Sequence, residues 1–318
     1  FHDVKVMAYL DDVTLCGPHA RVVAAANHLE GTLAEIGLAV NRKKSEWLST
    51  TTQPAPTGFA TPKALKLLGA FIGDDGACRD MLAKRIADSN NFFRRVALLD
   101  PDIALACLTV SGVPRASYMA RTNRPDVVRP VLEVFDAEVL GSLRRILDVQ
   151  EISSDSQLLL GLSKKTGGLG ITTWAQRCRL SYAASFEASL LPPDGPISNV
   201  SESQRCAAVD DEMLATVRSD AKLSAHRDAI VGCTDVRRDT ATALYFPPDG
   251  IGAYYRFLVR APHPQLPPSV DCPGCKHRLP VLDFYAHAAG CSLCHGYNAS
   301  SRHAGLKKVM NELCDTLG

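Results

Sequence analysis

The sequence predicts an α+β fold, with a short antiparallel hairpin at the start, a long helical region after it and a small metal-binding knuckle near the end. Three features of the 318 residues lead to this prediction. β-favouring residues flank two adjacent carboxylates in residues 4–17, apolar residues recur at helical spacing over residues 78–190, and cysteine and histidine cluster in residues 272–291.

The first feature is a predicted β-hairpin whose tip carries Asp11 and Asp12. Val, Tyr and Thr favour the pleated surface of a strand, whereas Asp is favoured at tight bends because its side chain bonds its own backbone. Successive strand residues point to opposite faces, so a bend at the tip is needed to bring both carboxylates to one cation. Their oxygen ligands suit Mg²⁺. The alternative interpretation is an ordinary turn with two solvated charges.

A helix and further short strands are predicted after the hairpin. Apolar residues repeat with a helical period over residues 18–36, and Gly37 suits the left-handed end of such a helix. We expect short strands over residues 37–48 and one strand over residues 64–72, in which Gly69 permits the close approach of another backbone.

The helical region is predicted from the spacing of its apolar residues. Helices are expected over residues 78–99, 102–110, 126–148, 174–190 and 201–228. In the third, one stripe is formed by Val128, Leu132, Phe135, Val139, Leu143 and Ile146. The glycine-rich residues 167–171 do not form a nucleotide-binding loop, because no clear strand precedes them and no Lys-Ser/Thr pair follows.

The composition describes a chain with a sizeable core and little net charge. Hydrophobic residues make up 46% and charged residues 22%, and the net charge is +1. This length predicts two or three domains. A small net charge is unfavourable for binding a polyanion. Arg42-Lys43-Lys44 and Arg144-Arg145 nevertheless form local basic clusters, and the alternative interpretation of each cluster is a solvent-exposed helix face. No apolar run of about eighteen residues and no secretory signal is found, so no membrane partner is predicted.

Cysteine usage indicates a reducing compartment and a metal site. The chain has 11 cysteines, an odd number, and most of them are scattered singly. This usage is not typical of a disulfide framework, so we expect a nuclear or intracellular location.

The clustered cysteines predict one structural zinc site. A Cys-x-x-Cys turn is followed after eleven residues by His-x-x-x-Cys, and together they supply four ligands for tetrahedral Zn²⁺. Four protein ligands leave no open position for water, which is typical of a structural site. Cys294 and His295 are alternatives for the last ligand. The predicted ligands are Cys272, Cys275, His287 and Cys291.

Three ordered motifs resemble the second half of a reverse transcriptase palm. Tyr9-Leu10-Asp11-Asp12 resembles the catalytic Tyr/Phe-x-Asp-Asp motif, residues 37–44 resemble the Gly-Leu-x-x-Asn-x-x-Lys element after it, and residues 68–72 resemble the Leu-Gly-x-x-Ile primer grip. The resemblance implies that Asp11 and Asp12 are catalytic and hold Mg²⁺. It places Lys44 close to the phosphates of the incoming nucleotide and Leu68 and Gly69 at the primer. A palm also needs a third carboxylate from an earlier strand, so we expect this chain to be a fragment.

Later motifs resemble non-LTR retrotransposons of the site-specific, restriction-like-endonuclease type. Residues 113–118 resemble the thumb of these polymerases, and residues 167–171 resemble a signature that follows it. Residues 301–306 resemble the pattern after a Cys-Cys-His-Cys knuckle, where an endonuclease domain begins; the carboxylates of that domain would lie beyond Gly318, so nicking is not assigned. The domains implied are a partial polymerase palm (1–76), a helical thumb (77–150), a helical linker region (151–265) and a zinc knuckle with the start of a truncated endonuclease-like region (266–318).

The function implied by the resemblance is RNA-directed DNA polymerisation during retrotransposition. The partners implied are an RNA template, a DNA primer or target and deoxynucleoside triphosphates, and the cofactors are catalytic Mg²⁺ and structural Zn²⁺. The isolated fragment is expected to be inactive. The alternative is a non-catalytic, zinc-stabilised nucleic-acid-binding remnant of a retroelement.

Overall fold

The computed structural model describes residues 2–163, 166, 168–171, 173–190, 202–224, 227, 267–272, 275–280, 283 and 287. Helices and short hairpins both occur among them, which confirms the predicted α+β class. The chain divides into two compact units, Phe1–Met81 and Leu82–Gly318, which are described separately. The finer division at residues 76, 150 and 265 stays a prediction.

The first unit begins with the predicted hairpin. Strands β1 (Lys5–Tyr9) and β2 (Asp12–Cys16) pair antiparallel, with Tyr9 opposite Asp12. Helix α1 (His19–Glu35) packs against β2. The small core between them is formed by Val4, Val22 and Ala25, with Leu15 and Trp47 packed against it. Helix α1 therefore covers part of the hairpin through the partly buried Leu15, whereas all five residues of β1 are exposed.

The ends of α1 agree with the sequence prediction to within one residue. Pro18 precedes the first helical residue with an extended ψ of 138°. Gly37, which follows the helix, has a φ of 81°, a conformation that costs glycine little because it has no Cβ.

The prediction of short strands over residues 37–48 was wrong. A 3₁₀ turn, Arg42–Lys44, occupies the middle of this segment, and the Asn41 side chain accepts a hydrogen bond of 3.3 Å from the Lys44 N–H. Asn competes for backbone groups in this way, and the local turn replaces pairing with a second strand. The described part of residues 37–48 contains one isolated β-bridge, from Glu46 to Ala60, and no strand.

The single strand predicted over residues 64–72 is two strands. Strands β3 (Ala64–Leu67) and β4 (Ala70–Gly73) form a second antiparallel hairpin. Leu68 and Gly69 make its two-residue turn, with φ angles of 48° and 89°. Positive φ at both central positions matches the twist of paired strands, which explains why the chain turns here rather than continuing.

The second unit is built mainly from helices. Helix α2 (Asp75–Ala87) contains the division between the units and is followed by α3 (Asn90–Val96) and α4 (Pro101–Cys107). The helix predicted over residues 78–99 is thus broken in two. Short polar residues lie at the break, and such residues favour helix ends over helix interiors.

A continuous helical run with changing pitch follows α4. A π-helical turn, Leu108–Gly112, leads into a 3₁₀ turn, Val113–Ala116, and then into α5 (Ser117–Thr122). Pro114 has no N–H to donate to the preceding turn, so the backbone changes its hydrogen-bonding pattern at this point.

Part of this run is long and apolar enough to cross a membrane on length and composition alone. This segment is Ile103–Thr122, and 44% of it is buried inside the structure. Its buried positions include Leu105, Leu108 and Ala116, which is the pattern of a core helix. The expectation that the protein has no membrane partner stays a prediction.

Helix α6 (Pro125–Leu147) forms the centre of the second unit. All six residues of the predicted stripe are buried, and Phe135 and Leu132 are fully buried. Asp148 ends the helix in the left-handed conformation with a φ of 49°. The periodicity of this segment predicted its buried face because the pattern extends over more than six turns.

The remaining elements are α7 (Ser154–Gly161), α8 (Trp174–Leu190), α9 (Glu202–Ser219) and a short hairpin of β5 (Ser269–Asp271) and β6 (Arg278–Pro280). Helix α8 packs against α5 and α6, and α9 packs against α7 and α8. A second core cluster includes Leu159, Leu162, Val217 and Leu223.

Candidate functional site

The first candidate site is the tip of the β1–β2 hairpin. Because Tyr9 pairs with Asp12, the turn consists of Leu10 and Asp11, and Asp12 is the first residue of β2. Leu10 has a φ of 56°, a conformation unfavourable for a residue with a Cβ, and its side chain is 88% exposed. The chain bends at Leu10 and Asp11, and the approach of both carboxylates to one cation stays a prediction.

The environment of the two carboxylates at this tip is open to solvent. Asp11 and Asp12 are both exposed, and no described residue forms a hydrogen bond or ion pair with either side chain. Four carboxylate oxygens are thus available, and oxygen donors of this kind fit Mg²⁺. Within the described part of the chain, no third Cys, His, Asp or Glu completes a metal-binding group with them. Their catalytic role stays a prediction.

The basic turn, Arg42–Lys44, has one partly buried arginine contact and two exposed lysines. The Arg42 guanidinium pairs with Glu30 on α1 through two hydrogen bonds, one of them 3.0 Å from Nε to Oε1, and donates another of 3.0 Å to the Thr57 carbonyl. It also lies over the Phe59 ring, 5.7 Å from the centroid. Arg42 is therefore a structural residue of the turn rather than part of a free basic patch.

The hydrogen bonds between Arg42 and Glu30 change the pKa of both groups so that the charged form of each is favoured. They lower the pKa of Glu30 and raise the pKa of Arg42. Lys43 and Lys44 are exposed, and neither has an ion-pair partner among the residues described. The turn therefore fixes the backbone at Lys44 and leaves its ammonium group available for a ligand.

The structure does not join all the predicted polymerase residues into one group. Leu68 and Gly69 form the turn between β3 and β4, and Leu68 is 57% exposed. In the described chain, no hydrogen bond or ion pair connects Lys44 with Asp11 or Asp12. The nucleotide-binding role of Lys44 and the primer-binding role of Leu68 and Gly69 stay predictions.

The second candidate site is a cysteine and histidine cluster at the β5–β6 hairpin. The sulfurs of Cys272 and Cys275 and one ring nitrogen of His287 lie within 4.8 Å of one another. Cys275 Sγ is 3.2 Å from His287 Nε2, and the Cys272 residue is fully buried. This group is the metal cluster found in the described residues, and it brings together three of the four predicted zinc ligands.

Backbone hydrogen bonds hold the two cysteines in position. The Cys272 N–H donates to the His277 carbonyl and the Lys276 N–H donates to the Cys272 carbonyl, both at 2.8 Å. Lys276 has a φ of 62°, which closes the turn. Zn–S and Zn–N bonds of about 2.3 and 2.1 Å in a tetrahedron separate sulfur and nitrogen by about 3.6 Å, so this donor set fits zinc with a small adjustment. Cys291, its alternatives Cys294 and His295, and residues 301–306 lie outside the described residues.

The glycine-rich segment after α7 has a structural role. The N–H groups of Leu169 and Ile171 donate to the Leu160 carbonyl, and the N–H of Gly170 donates to the Leu162 carbonyl. These donors cap the carbonyls at the end of α7 and are not directed at a ligand. The rejection of a nucleotide-binding loop from the sequence stays a prediction.

Sequence reasoning missed a half-buried carboxylate that joins two helices. Asp136 on α6 accepts hydrogen bonds from the N–H groups of Trp174 and Ala175, at 3.0 and 2.9 Å, and so caps the start of α8. Burial raises the pKa of Asp136 to about 6, and these hydrogen bonds oppose the increase. The available signal was an acidic residue beside the apolar stripe of α6. The Glu30–Arg42 pair had no such signal, because its partners are twelve positions apart and lie in different elements.

The chain was compared with known proteins. Over 198 residues, the chain is 23% identical to the 132 kDa protein of the retrotransposable element SLACS from Trypanosoma brucei gambiense. The chain is similar to a retrotransposon protein. The matched region covers 60% of this chain and 16% of the relative, so the chain spans only a small part of that protein. No family model matches the chain, and no solved structure matches it. The similarity supports an origin in a retroelement.

Proposed function

We propose that this chain is part of the reverse transcriptase of a non-LTR retrotransposon of the site-specific, restriction-like-endonuclease type. The observation that carries the proposal is the pair of exposed carboxylates, Asp11 and Asp12, at a tight hairpin tip in a chain similar to a retrotransposon protein. The complete enzyme extends a DNA primer on an RNA template with deoxynucleoside triphosphates. Its implied divisions are half a palm, a helical thumb, a helical linker and a zinc knuckle.

The residues of this chain have distinct roles in the proposed reaction. Asp11 and Asp12 hold Mg²⁺, together with a third carboxylate from an earlier strand. When bound, the magnesium ions activate the primer hydroxyl and neutralise charge on the leaving pyrophosphate. The Lys44 ammonium stabilises negative charge on the nucleotide phosphates. Leu68 and Gly69, at an exposed turn, contact the primer strand.

The zinc knuckle has a structural role in the proposal. Cys272, Cys275 and His287 hold Zn²⁺ with a fourth ligand, for which Cys291 is proposed. None of the described cysteines forms a disulfide, which is consistent with the proposed nuclear or intracellular location.

RNA-templated primer extension with the full-length protein tests this function. We expect a product that depends on the RNA template, on deoxynucleoside triphosphates and on Mg²⁺. Lys44→Ala should raise the KM for nucleotide by about tenfold, the usual cost of losing a charge-assisted phosphate contact. Lys43→Ala, on the same turn, is the matched control and should change it little. No RNA-templated product from the parent protein would overturn the proposal.

The second candidate is a non-catalytic, zinc-stabilised nucleic-acid-binding module. The Cys272, Cys275 and His287 cluster favours it, because a structural zinc site does not require a polymerase. The same assay separates the candidates: a parent protein that binds the RNA template but incorporates no nucleotide supports the second one.

A further inference from the structure

The small core of the first unit contacts both segments that carry predicted polymerase residues. Leu15 of β2 packs against this core, three positions after Asp12. Trp47 packs against it as well, three positions after Lys44. Among the described residues, no polar contact joins Lys44 to the hairpin tip, whereas this shared packing joins the two segments.

The Trp47 side chain contacts two other rings. It meets the His19 ring edge to face, with 5.2 Å between the centroids, and the Phe59 ring in the same way at 6.1 Å. The backbone N–H of Trp47 donates a hydrogen bond of 2.7 Å to the Ala60 carbonyl. Ring pairs at this separation and angle add stability beyond the area that they bury, so the indole has a defined position.

The described contacts of the Trp47 side chain come from its rings and not from its N–H group. Trp47 Nε1 is buried, and no described residue accepts a hydrogen bond from it. The neighbouring His19 Nδ1 is buried too, and no described residue forms a hydrogen bond with it. A phenylalanine at position 47 should therefore keep the ring contacts without losing a hydrogen bond to the described residues.

The segment from Arg42 to Trp47 is attached to helix α1 at two points. Arg42 pairs with Glu30, and Trp47 contacts His19, the first residue of the helix. His19 lies about three turns before Glu30, or about 16 Å along the helix axis. The segment therefore runs along α1, opposite to the helix direction, and Lys44 lies between its two attachments.

The second attachment matters because the hydrogen bonds of the turn are local. The Lys44 N–H donates to the Asn41 carbonyl at 3.0 Å, and the Ser45 N–H donates to the Arg42 carbonyl at 3.2 Å. These bonds shape the turn but do not attach it to α1. The lysine stem is flexible, so the position of the backbone decides which region its ammonium group reaches. Loss of the Trp47 ring would loosen the turn on one side.

We infer that Trp47 is a positioning residue of the nucleotide site, which holds Lys44 in place relative to Asp11 and Asp12. The inference rests on the proposed function, which supplies the identity of the ligand. Trp47 contacts neither the nucleotide nor the metal and acts through the turn. Its loss weakens nucleotide binding and leaves the chemistry at the two carboxylates nearly unchanged, so KM rises with little change in kcat.

Hydrogen exchange tests whether Trp47 holds the turn. The backbone amides of residues 41–47 are followed by mass spectrometry in the full-length protein, since local opening sets their exchange rate. Trp47→Ala should speed this exchange about tenfold, whereas Trp47→Phe should keep it within about twofold of the parent rate. His19→Ala removes one contacting ring from outside the core cluster and serves where Trp47→Ala does not fold; it should speed exchange about threefold.

A double-mutant cycle in primer extension tests whether Trp47 acts through Lys44. Trp47→Ala should raise the KM for nucleotide about fivefold and keep kcat within about twofold of the parent. Lys44→Ala raises KM about tenfold, and adding Trp47→Ala to it should raise KM no further, because the group that Trp47 positions is absent.

Trp174→Phe is the matched control. Trp174 lies in the second unit, where its Nε1 donates a hydrogen bond of 2.7 Å to the Val113 carbonyl. Its substitution also removes an indole and, unlike Trp47→Phe, it loses a hydrogen bond. It should leave both the exchange of residues 41–47 and the KM for nucleotide unchanged.

The outcomes separate this inference from the proposed function. Exchange of residues 41–47 at the parent rate in both Trp47→Ala and His19→Ala overturns the inference, whether or not the protein extends a primer. A KM raised about fiftyfold in the double variant, the product of the single effects, would show that Trp47 does not act through Lys44 and also overturns it. Faster exchange in a protein that extends no primer would sink the proposed function and leave the positioning of the turn standing.

Discussion

Asp136 is a carboxylate whose burial on α6 makes the stability of the second unit depend on pH. Burial raises its pKa to about 6, above the ordinary value of 3.8, so the folded state holds its proton more tightly than the unfolded state does. The unfolding free energy should therefore fall as pH rises through this window, by up to about 3 kcal/mol. Asp136→Asn keeps an acceptor for the Trp174 or Ala175 N–H and removes the charge.

We expect the unfolding free energy of Asp136→Asn to stay constant over this pH range, whereas that of the parent falls. Urea unfolding of both proteins at about pH 4 and about pH 7 measures the two free energies. Relative to the parent, the variant should be more stable by about 2 kcal/mol at the higher pH. An identical pH dependence in the two proteins would show that Asp136 does not carry the effect.

The contacts of a second residue, Arg42, fix the turn that carries Lys44. Arg42→Lys keeps the charge but cannot form the two hydrogen bonds to Glu30 together with the one to Thr57. The looser turn should raise the KM for nucleotide by a smaller factor than Lys44→Ala does, about threefold, with little change in kcat. The control is Arg21→Lys, whose exposed pair with Asp3 spans 4.0 Å. A KM equal to that of the parent would show that the turn is set without Arg42.

At the scale of single elements, the segment after α7 depends on Gly168. A Cβ at this position would lie 2.0 Å from the Leu162 carbonyl oxygen and 2.5 Å from the Leu159 carbonyl oxygen. Gly168→Ala should therefore displace the cap of α7 and reduce the unfolding free energy by about 3 kcal/mol or more. Gly170→Ala is the matched control: its φ of 69° is unfavourable for alanine, but no atom blocks the Cβ, so the loss should be about 1 kcal/mol. Equal losses in urea unfolding would contradict this explanation.

The sequence predicted elements where local patterns decide structure and missed them where distant contacts do. The stripe of α6 and the hairpin around Asp11 were predictable because period and turn chemistry lie within a few residues. The β3–β4 turn was missed because Leu68 continues the apolar run of the predicted strand, whereas the β1–β2 turn contains the turn-favouring Asp11. The 3₁₀ turn before Lys44 depends on Glu30 and Thr57, which lie far along the chain, and no local pattern indicates them.

The candidate sites follow the same rule. The Cys-x-x-Cys spacing identified two of the zinc ligands that the structure brings together with His287. The contacts of Trp47 with His19 and Phe59 could not be predicted, since the three residues lie far apart in the sequence. Their geometry depends on the tertiary packing of Trp47 against the core of the first unit, which sequence spacing does not encode.

At the scale of the whole molecule, the zinc site should determine whether the C-terminal part of the chain folds. Zinc binding in small domains contributes of order 10 kcal/mol to folding, because the ligands are brought together only in the folded state. We expect one zinc ion per chain by native mass spectrometry. Cys275→Ser should lose it and expose its surroundings to protease, while Cys16→Ser, an exposed cysteine on β2, should retain it. Freshly purified parent protein without zinc would rule out the knuckle.

The central claim for the whole molecule is that the hairpin tip carries polymerase chemistry. Primer extension on an RNA template by the full-length protein, its Asp11→Asn variant and an Asp3→Asn control tests it most directly. Asn preserves the size and turn propensity of Asp11, so template binding should stay near the parent value while synthesis falls by about 10³-fold, the equivalent of ~4 kcal/mol of lost metal-dependent stabilisation. Asp3→Asn should extend the primer as the parent does. An Asp11→Asn variant that extends the primer at the parent rate would show that Asp11 and Asp12 form an ordinary turn.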